Sequence, residues 1–476
     1  MDSRVSARAL AARLGGWRTS EPAYEALADG IRLLCLDNRL PAGTALPAER
    51  ELAAVLGVSR TTVAAAYRSL RDSGHIRSLR GSGSVTQGAP QRAATRTISD
   101  PRAIDLQQAS PAAWPGLAGV FAEAATQAPA LLARPGYDVV GREELRAALA
   151  DQYTRRGIPT TPAQILITSG AQSALHLLAT VLVRRGDRVL IESPTYPHAA
   201  EALRSAGARL VSVPVTPDEG WDLDRAEQVF ARVRPSLAYL MPDFQNPTGR
   251  SMTGVERELF VTAAERAGTT LIVDETTADL DIDRAIEPPP FGGADPQDEQ
   301  IVRVGSFGKT VWGGLRVGWI RADEELIRRV IAARFPIELG TPDWEQHVAT
   351  LLLPHLPQVI AQRAHLLRTG RDTVSAALAQ QLPEWTVPVV DGGVALWVEL
   401  DRPFSSALVL AARAEGILLS AGPRFGVDGG FEKNLRIPFT AGASDLERAV
   451  DGIAHAWRRT VGGAAPMREG ALDAVV

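Results

Sequence analysis

The stretch Ile301-Val-Arg-Val304-Gly-Ser-Phe-Gly-Lys309-Thr310 holds one of only two lysines in a chain with 51 basic side chains; the other is Lys433. Wherever else a positive charge was wanted, the sequence uses arginine. That points to positions where arginine could not substitute. An amine can shed its proton and attack a carbonyl, whereas a guanidinium stays protonated and is a poor nucleophile. Lys309 is therefore a candidate for imine chemistry with an aldehyde. The apolar run Ile301–Val304 reads as a strand, and Ser306, Gly308 and Lys309 are expected on the loop leaving it, ahead of Gly314-Leu-Arg316-Val-Gly318. A surface lysine on a loop is the competing reading, and the rest of the chain decides between them.

The length of 476 residues allows two or three domains. Hydrophobic content of 45% against 22% charge is an ordinary globular balance. No apolar run reaches the eighteen or so residues that a membrane span needs, and the start lacks a signal-peptide pattern. A single cysteine, Cys35, excludes an intramolecular disulfide, points to a reducing cytoplasmic setting, and reads as a core side chain among Ile31, Leu34 and Leu36. Net charge is -4, unevenly spread: residues 1–88 hold twelve arginines and eight acids, a net +4, which leaves -8 on the remainder. A small basic head on a larger acidic body is the charge footprint of nucleic-acid binding at one end.

Residues 1–88 read as helices followed by a hairpin. A short helix is expected within residues 3–16. A second opens after Pro22, with apolar positions at Tyr24, Leu27, Ile31, Leu34 and Leu36. Another follows Pro47 and ends at Gly57, the usual place for a C-terminal glycine. Ser59 then caps a helix from Arg60 to about Asp72 whose Val63, Tyr67 and Leu70 face inward. His75 to Thr86 reads as a basic hairpin with a glycine tip. Two helices joined by a three-residue turn, then a basic hairpin, make a winged helix-turn-helix. The start of the later helix can enter the major groove of double-stranded DNA, bringing Ser59, Arg60, Thr61 and Thr62 to bases and phosphates. Arg50 can reach a phosphate, and the wing Arg77, Arg80 and Gly83 the backbone or minor groove. A winged helix serving only protein contacts is the alternative, which the charge disfavours.

Residues 89–102 read as a flexible linker without apolar periodicity. From 103 to 460, helical runs alternate with short apolar strands, which argues for an α/β domain with a mainly parallel sheet. The final segment, 461–476, reads as a disordered tail. Five strand ends in the body carry polar groups, where open α/β sheets place ligands. They are Thr168-Ser-Gly-Ala171-Gln172, Glu192-Ser-Pro-Thr-Tyr196, Pro242-Asp-Phe-Gln-Asn246-Pro-Thr-Gly249, Val273-Asp274-Glu275, and the Ser306–Lys309–Arg316 loop. Singly each is weak. Together they supply an amine, an acid, a polar donor, an aromatic ring and a helix start for an anion, the set that a phosphorylated pyridine aldehyde needs.

At this point two resemblances stand out. The head, through Leu46-Pro-Ala-Glu-Arg50, Leu56-Gly-Val-Ser-Arg-Thr-Thr-Val63, Ala66-Tyr67 and Arg80-Gly-Ser-Gly83, resembles the GntR family of bacterial regulators. The body resembles a class I, fold-type I aminotransferase dependent on pyridoxal 5'-phosphate, with a smaller C-terminal α/β subdomain. The combination resembles the MocR subfamily. The resemblance implies that Lys309 forms the imine, Asp274 holds the ring nitrogen, Asn246 the phenolic oxygen, and Tyr196 stacks on the ring. It further implies that Ala171, Gln172, Ser306 and Arg316 bind phosphate and that Arg436 clamps an effector carboxylate. Tyr137 is implied to reach a neighbouring subunit's phosphate, hence a homodimer, with each head near the partner's body. No metal site is implied.

The sequence departs from that pattern at informative places. Ala64 stands where some branches carry a second arginine, and Gly308 where a serine often precedes the lysine. A tyrosine normally follows the ring-nitrogen acid by two or three residues; here only Thr276 and Thr277 are available. Its loss should weaken control of proton transfer while leaving cofactor binding intact. The expectation is a transcriptional regulator sensing an amino compound, or the cofactor itself. A working aminotransferase with an attached DNA-binding head is the alternative, and a body that binds a metabolite without cofactor the third reading. Lys433 reads as a solvated charge.

Overall fold

The computed structural model describes residues 4–15, 17–18, 22–37, 39–79, 83–87, 103–286, 288–292, 300–427 and 429–463. The wing tip with Arg80, the 89–102 linker and the tail beyond 463 lie outside the described residues.

The head contains helices α1 (Ala7–Leu14), α2 (Ala23–Leu36), α3 (Glu49–Leu56) and α4 (Arg60–Asp72), then strands β1 (Ile76–Leu79) and β2 (Gly83–Thr86). Local chemistry fixes the turn. Gly57 ends α3 in the left-handed region at φ 65, and Ser59 in extended geometry accepts from Thr62 N at 3.0 Å to start α4. The periodic side chains Val63, Ala66, Tyr67 and Leu70 are buried, and the Tyr67 hydroxyl donates to Pro47 O at 3.0 Å, tying α4 to the start of α3. Full burial of Val63 and Leu70 contributes about 1.5–3 kcal/mol each. Cys35 is buried as expected, but Tyr24 is exposed, because the helix turns it toward solvent at its first turn.

The body is built on one eight-stranded sheet. In chain order its strands are β3 (Ile165–Thr168), β4 (Arg188–Ser193), β5 (Arg209–Thr216), β6 (Gly220–Trp221), β7 (Leu237–Leu240), β8 (Thr270–Asp274), β9 (Ile301–Ser306) and β10 (Gly318–Arg321). The spatial order is β3-β10-β9-β8-β7-β4-β5-β6. Only β10 and the short β6 run against their neighbours, so the sheet is mainly parallel. Its central strands are buried along their length, covered on both faces by helices, which is why they read as continuous apolar runs. Register matters for the site. Gly318 pairs with both Ser306 and Thr168, and Asp274 pairs with Val304, so the C-terminal ends of β3, β8 and β9 lie side by side.

The smaller C-terminal unit is a three-stranded antiparallel sheet (Ala395–Glu399, Asn434–Pro438 and Ser420–Ala421) packed by helices Leu356–Gln381, Ser405–Ala414 and Ala443–Gly463. That last helix runs three residues past 460, into the segment read from sequence as tail. The head docks on this unit: Leu33 of α2 joins its apolar core, and Arg424 donates to Asp37 O at 2.6 Å.

Candidate active site and DNA-facing surface

Nine of the residues singled out in the body line one cavity of about 570 Å³: Ala171, Gln172, Tyr196, Asn246, Asp274, Ser306, Lys309, Arg316 and Arg436. They come from widely separated segments. What brings them together is the sheet register and the loops leaving its C-terminal edge.

Lys309 lies on a single helical turn, Phe307–Thr310, rather than an open loop. Ser306 ends β9, caps that turn by accepting from Gly308 N at 3.0 Å, and donates to Val317 O at 3.1 Å. The Lys309 Nζ donates to the Ala109 carbonyl. Burial, then the Arg436 guanidinium, lower its pKa to about 8, against an upward pull from Asp274. A buried amine with that value holds appreciable free base near neutrality.

Asp274 is the last residue of β8 and is buried. Tyr239 on β7 donates to it at 2.6 Å, and Thr276 N at 3.0 Å. Burial raises its pKa, while these two donors oppose the rise. Thr277 turns its hydroxyl to Asp243 O at 2.8 Å, so it is committed to backbone.

The anion end is formed at the start of the helix α5 (Ala171–Leu182). Gly170 precedes it at φ 96, and the Arg316 guanidinium lies against that glycine, donating to Ser169 O at 2.6 Å. A Cβ on Gly170 would meet Arg316 Nη2 at 2.6 Å, and one on Gly318 would meet Gly170 C at 2.7 Å. Two glycines thus keep open a space bounded by helix-start N–H groups and a guanidinium, the geometry of a phosphate cradle. The Gln172 Oε1 is buried there without a hydrogen-bond partner.

Arg436 lies opposite. Its Nη2 donates to Gln107 O at 2.6 Å and Nη1 to Asn246 Oδ1 at 3.4 Å, its Cζ lies 4.7 Å from the Phe425 ring centroid, and its Nε is buried without a partner. Burial lowers its pKa to about 10. Tyr196 packs edge-on to His198, with ring centroids 5.3 Å apart.

Tyr137 is not in this cavity. It is 47% exposed, on a two-residue strand paired with Thr341–Pro342. Sequence reasoning missed Tyr239, Phe425 and the Gln107–Ala109 segment. Tyr239 reads as core within Leu237-Ala-Tyr-Leu240, and backbone carbonyls leave no side-chain signature. Among the described residues no group of three or more His, Cys, Asp or Glu is placed to hold a metal, and no helix is long and apolar enough to cross a membrane.

On the head, Ser59, Arg60 and Thr61 are exposed at the start of α4, with Thr62 half-buried beside them. Arg60 Nε sits 3.5 Å from Glu49 and its side chain remains largely solvated. Arg50, Arg77 and Gly83 are also exposed.

A mainly parallel sheet with a lysine, a carboxylate and an anion cradle at its strand ends, joined to a winged-helix head, defines a cofactor-dependent aminotransferase-type body behind a DNA-binding domain. Residues 131–453 match the aminotransferase class I and II family, and residues 23–85 the bacterial regulatory proteins of the gntR family. The chain belongs to the aminotransferase class I and II family, carries a GntR-type head, and fits the MocR subfamily of regulators. Pyridoxal phosphate is the cofactor of that fold. A 2-aminoadipate transaminase of Thermus thermophilus is 32% identical over 325 residues, covering 67% of this chain and 78% of that protein. A probable rhizopine catabolism regulatory protein, MocR, of Rhizobium meliloti is 29% identical over 442 residues, covering 84% and 86%. The solved α-aminoadipate aminotransferase LysN of Thermus thermophilus superposes with a TM-score of 0.69 at 26% identity, over 79% of this chain and 99% of that one.

Proposed function

We propose that the body senses an amino compound, or pyridoxal phosphate itself, at Lys309 and that this governs how the head engages an operator in the cytoplasm. The cofactor supplies an aldehyde that exchanges between a protein amine and an incoming amine. The chain's own groups divide the work. Lys309 offers a low-pKa amine, and Asp274, oriented by Tyr239, accepts from the ring nitrogen. Ala171, Gln172, Ser306 and Arg316 hold the phosphate, and Asn246 faces the phenolic oxygen. Tyr196 covers the ring, and Arg436 takes an effector carboxylate. The observation that carries this reading is the convergence of these residues on one cavity while no tyrosine follows Asp274. A site that keeps its binding groups but lacks that phenol favours recognition over turnover.

A homodimer supports the reading. Leu132, Phe335, Ile337 and Leu339 are exposed apolar side chains on the segments that flank Tyr137, a patch suited to a second copy. Through it Tyr137 would reach the partner's phosphate.

The test is direct. The purified chain should gain a visible absorption band with pyridoxal phosphate, Lys309→Ala should lose it, and a subset of amino acids should shift the band and change operator affinity together. Rapid multiple turnover of amino and keto acids would instead favour the working aminotransferase. A chain that stays colourless would leave only the DNA-binding head explained.

A further inference from the structure

Glu192, near the end of β4, is a buried acid that stands behind the effector cavity and does not line it. Its carboxylate meets N–H donors from three separate segments. Trp221 Nε1 on β6 donates to Oε1 at 2.9 Å, Met241 N, just past β7, donates to the same oxygen at 3.1 Å, and Gln245 Nε2 donates to Oε2 at 3.2 Å. Burial raises the pKa of this carboxyl, and the three donors, Met241 first, oppose the rise. An acid is costly to bury unless donors meet it. A glutamine in its place would offer one acceptor oxygen and set its own amide N–H groups against those of Gln245. The carboxylate is matched to what faces it.

Gln245 carries the contact onward. Its Nε2 also donates to Pro194 O at 2.7 Å, while its Oε1 accepts from Thr248 N at 3.1 Å and from Thr248 Oγ1 at 2.8 Å. Its backbone closes the same turn: Gln245 N donates to Arg250 O at 2.8 Å, and Gly249 N donates to Gln245 O at 2.6 Å. One buried amide, backed by one buried carboxylate, thus ties the loop Glu192-Ser-Pro-Thr-Tyr196 to the loop Gln245-Asn-Pro-Thr-Gly249. Asn246 follows Gln245 directly and Tyr196 lies two residues past Pro194, and both line the cavity. The first loop has a second tie, from Thr195 N to Phe425 O at 3.0 Å, beside the ring that stacks on Arg436.

We propose that Glu192 is a positioning residue for the cofactor pocket: through Gln245 it sets where the Asn246 amide and the Tyr196 ring stand. This rests on the sensing reading, in which Asn246 faces the phenolic oxygen and Tyr196 covers the ring. Glu192 touches neither cofactor nor effector. It fixes two of the groups that do, from the side of the sheet edge that ligands do not reach.

Two measurements on the full chain test this. In the first, the chain loaded with pyridoxal phosphate is titrated with alkali and the pH midpoint of its visible band is recorded. An amide N–H at the phenolic oxygen favours the ionised oxygen and draws that midpoint down, so loosening Asn246 lets it rise. Glu192→Gln and Gln245→Met should each raise it by about half a unit to one unit, as loss of one hydrogen bond implies. The double variant should move it no further than the larger single change, because both act through one link. A carboxylate acting only by its charge would lower the midpoint in Glu192→Gln and leave it unchanged in Gln245→Met. Trp221→Phe removes a donor from the other oxygen of the same carboxylate and should leave the midpoint in place. In the second, backbone hydrogen exchange of the cofactor-free chain over 193–198 and 243–250 should quicken in both segments in Glu192→Gln and in neither in Trp221→Phe, with thermal midpoints monitoring folding. A parent chain that takes no colour would sink the sensing reading and leave exchange to decide the role of Glu192. A lowered or unchanged midpoint in Glu192→Gln, additive shifts in the double variant, or exchange that quickens in neither segment would overturn the proposal.

Discussion

Protonation of Lys309 sets how readily its amine captures an aldehyde, and each neighbour moves it in a known direction. Burial is the first cause of the drop from 10.5 to about 8, Arg436 the second, and Asp274 opposes them. A shift of that size raises the free-amine fraction near neutrality about 300-fold, and penalises the buried ammonium by ~3 kcal/mol. The sign for stability follows. The folded value lies below the unfolded one, so the cofactor-free chain bears the penalty in full below about pH 8. The penalty is relieved as pH rises from there toward 10.5, where the unfolded chain sheds its proton too. Arg436→Gln removes the second cause and should move the midpoint of capture up, though by less than the whole shift, because burial remains. Asp274→Asn removes the opposing carboxylate and should move it down. The assay is stopped-flow growth of visible absorbance when pyridoxal phosphate meets the cofactor-free chain across the neutral to alkaline range. The rate should climb with a midpoint near 8 in the parent chain, lower in Asp274→Asn and higher in Arg436→Gln. A parent midpoint at the ordinary lysine value, or one midpoint shared by all three, would refute the assignment of these neighbours.

Gly318→Ala should cost at least about tenfold in affinity for pyridoxal phosphate and much less for unphosphorylated pyridoxal, because the new Cβ would press on Gly170 and Ala171 at the start of α5. Equal losses for both would move the phosphate elsewhere. Arg60→Ala should weaken operator binding and, if the guanidinium meets a phosphate, flatten the dependence of log affinity on log salt by about one; an unchanged gel shift would remove Arg60 from the DNA surface. Leu339→Glu places a charge in the exposed apolar patch beside Tyr137 and should shift the chain from dimer to monomer in light scattering, whereas an unaltered mass would exclude that face.

Much of this architecture was legible because the relevant signals are local. Ser59 and Gly57 mark the bounds of α4 and α3 by capping chemistry alone, and Thr270–Asp274 stands as one strand in the structure as in the sequence. The lysine shortage singled out Lys309 before any contact was known. What sequence did not reveal depends on contacts without a side-chain code. Lys309 meets a carbonyl 200 residues away and Arg436 one 329 residues away. The turn carrying Lys309 looked like a loop because four residues with a glycine are too few to show a helical period. Tyr239 lies within a continuously buried strand like any core residue, and only the pairing of β7 with β8 brings its hydroxyl to Asp274.

The missing tyrosine gains meaning from how its neighbours are arranged. Asp274 is held by the Tyr239 hydroxyl on the neighbouring strand and by the backbone N–H of Thr276, one of the two residues that stand where the tyrosine would. Thr277, the other, is turned to a backbone carbonyl, and Asn246 Oδ1 accepts from Arg436 at 3.4 Å. On the roles proposed above, the cavity would keep the groups that bind the cofactor and lack the phenol that would assist proton transfer. On those roles, a carboxylate arriving at the Arg436 guanidinium would alter what the Asn246 amide offers to the cofactor's oxygen. Phe425, stacked under that guanidinium, is next in sequence to Arg424, which reaches the head. On the sensing proposal, the arginine that would take an effector carboxylate is thus linked through Phe425 to an arginine twelve residues earlier that reaches the head.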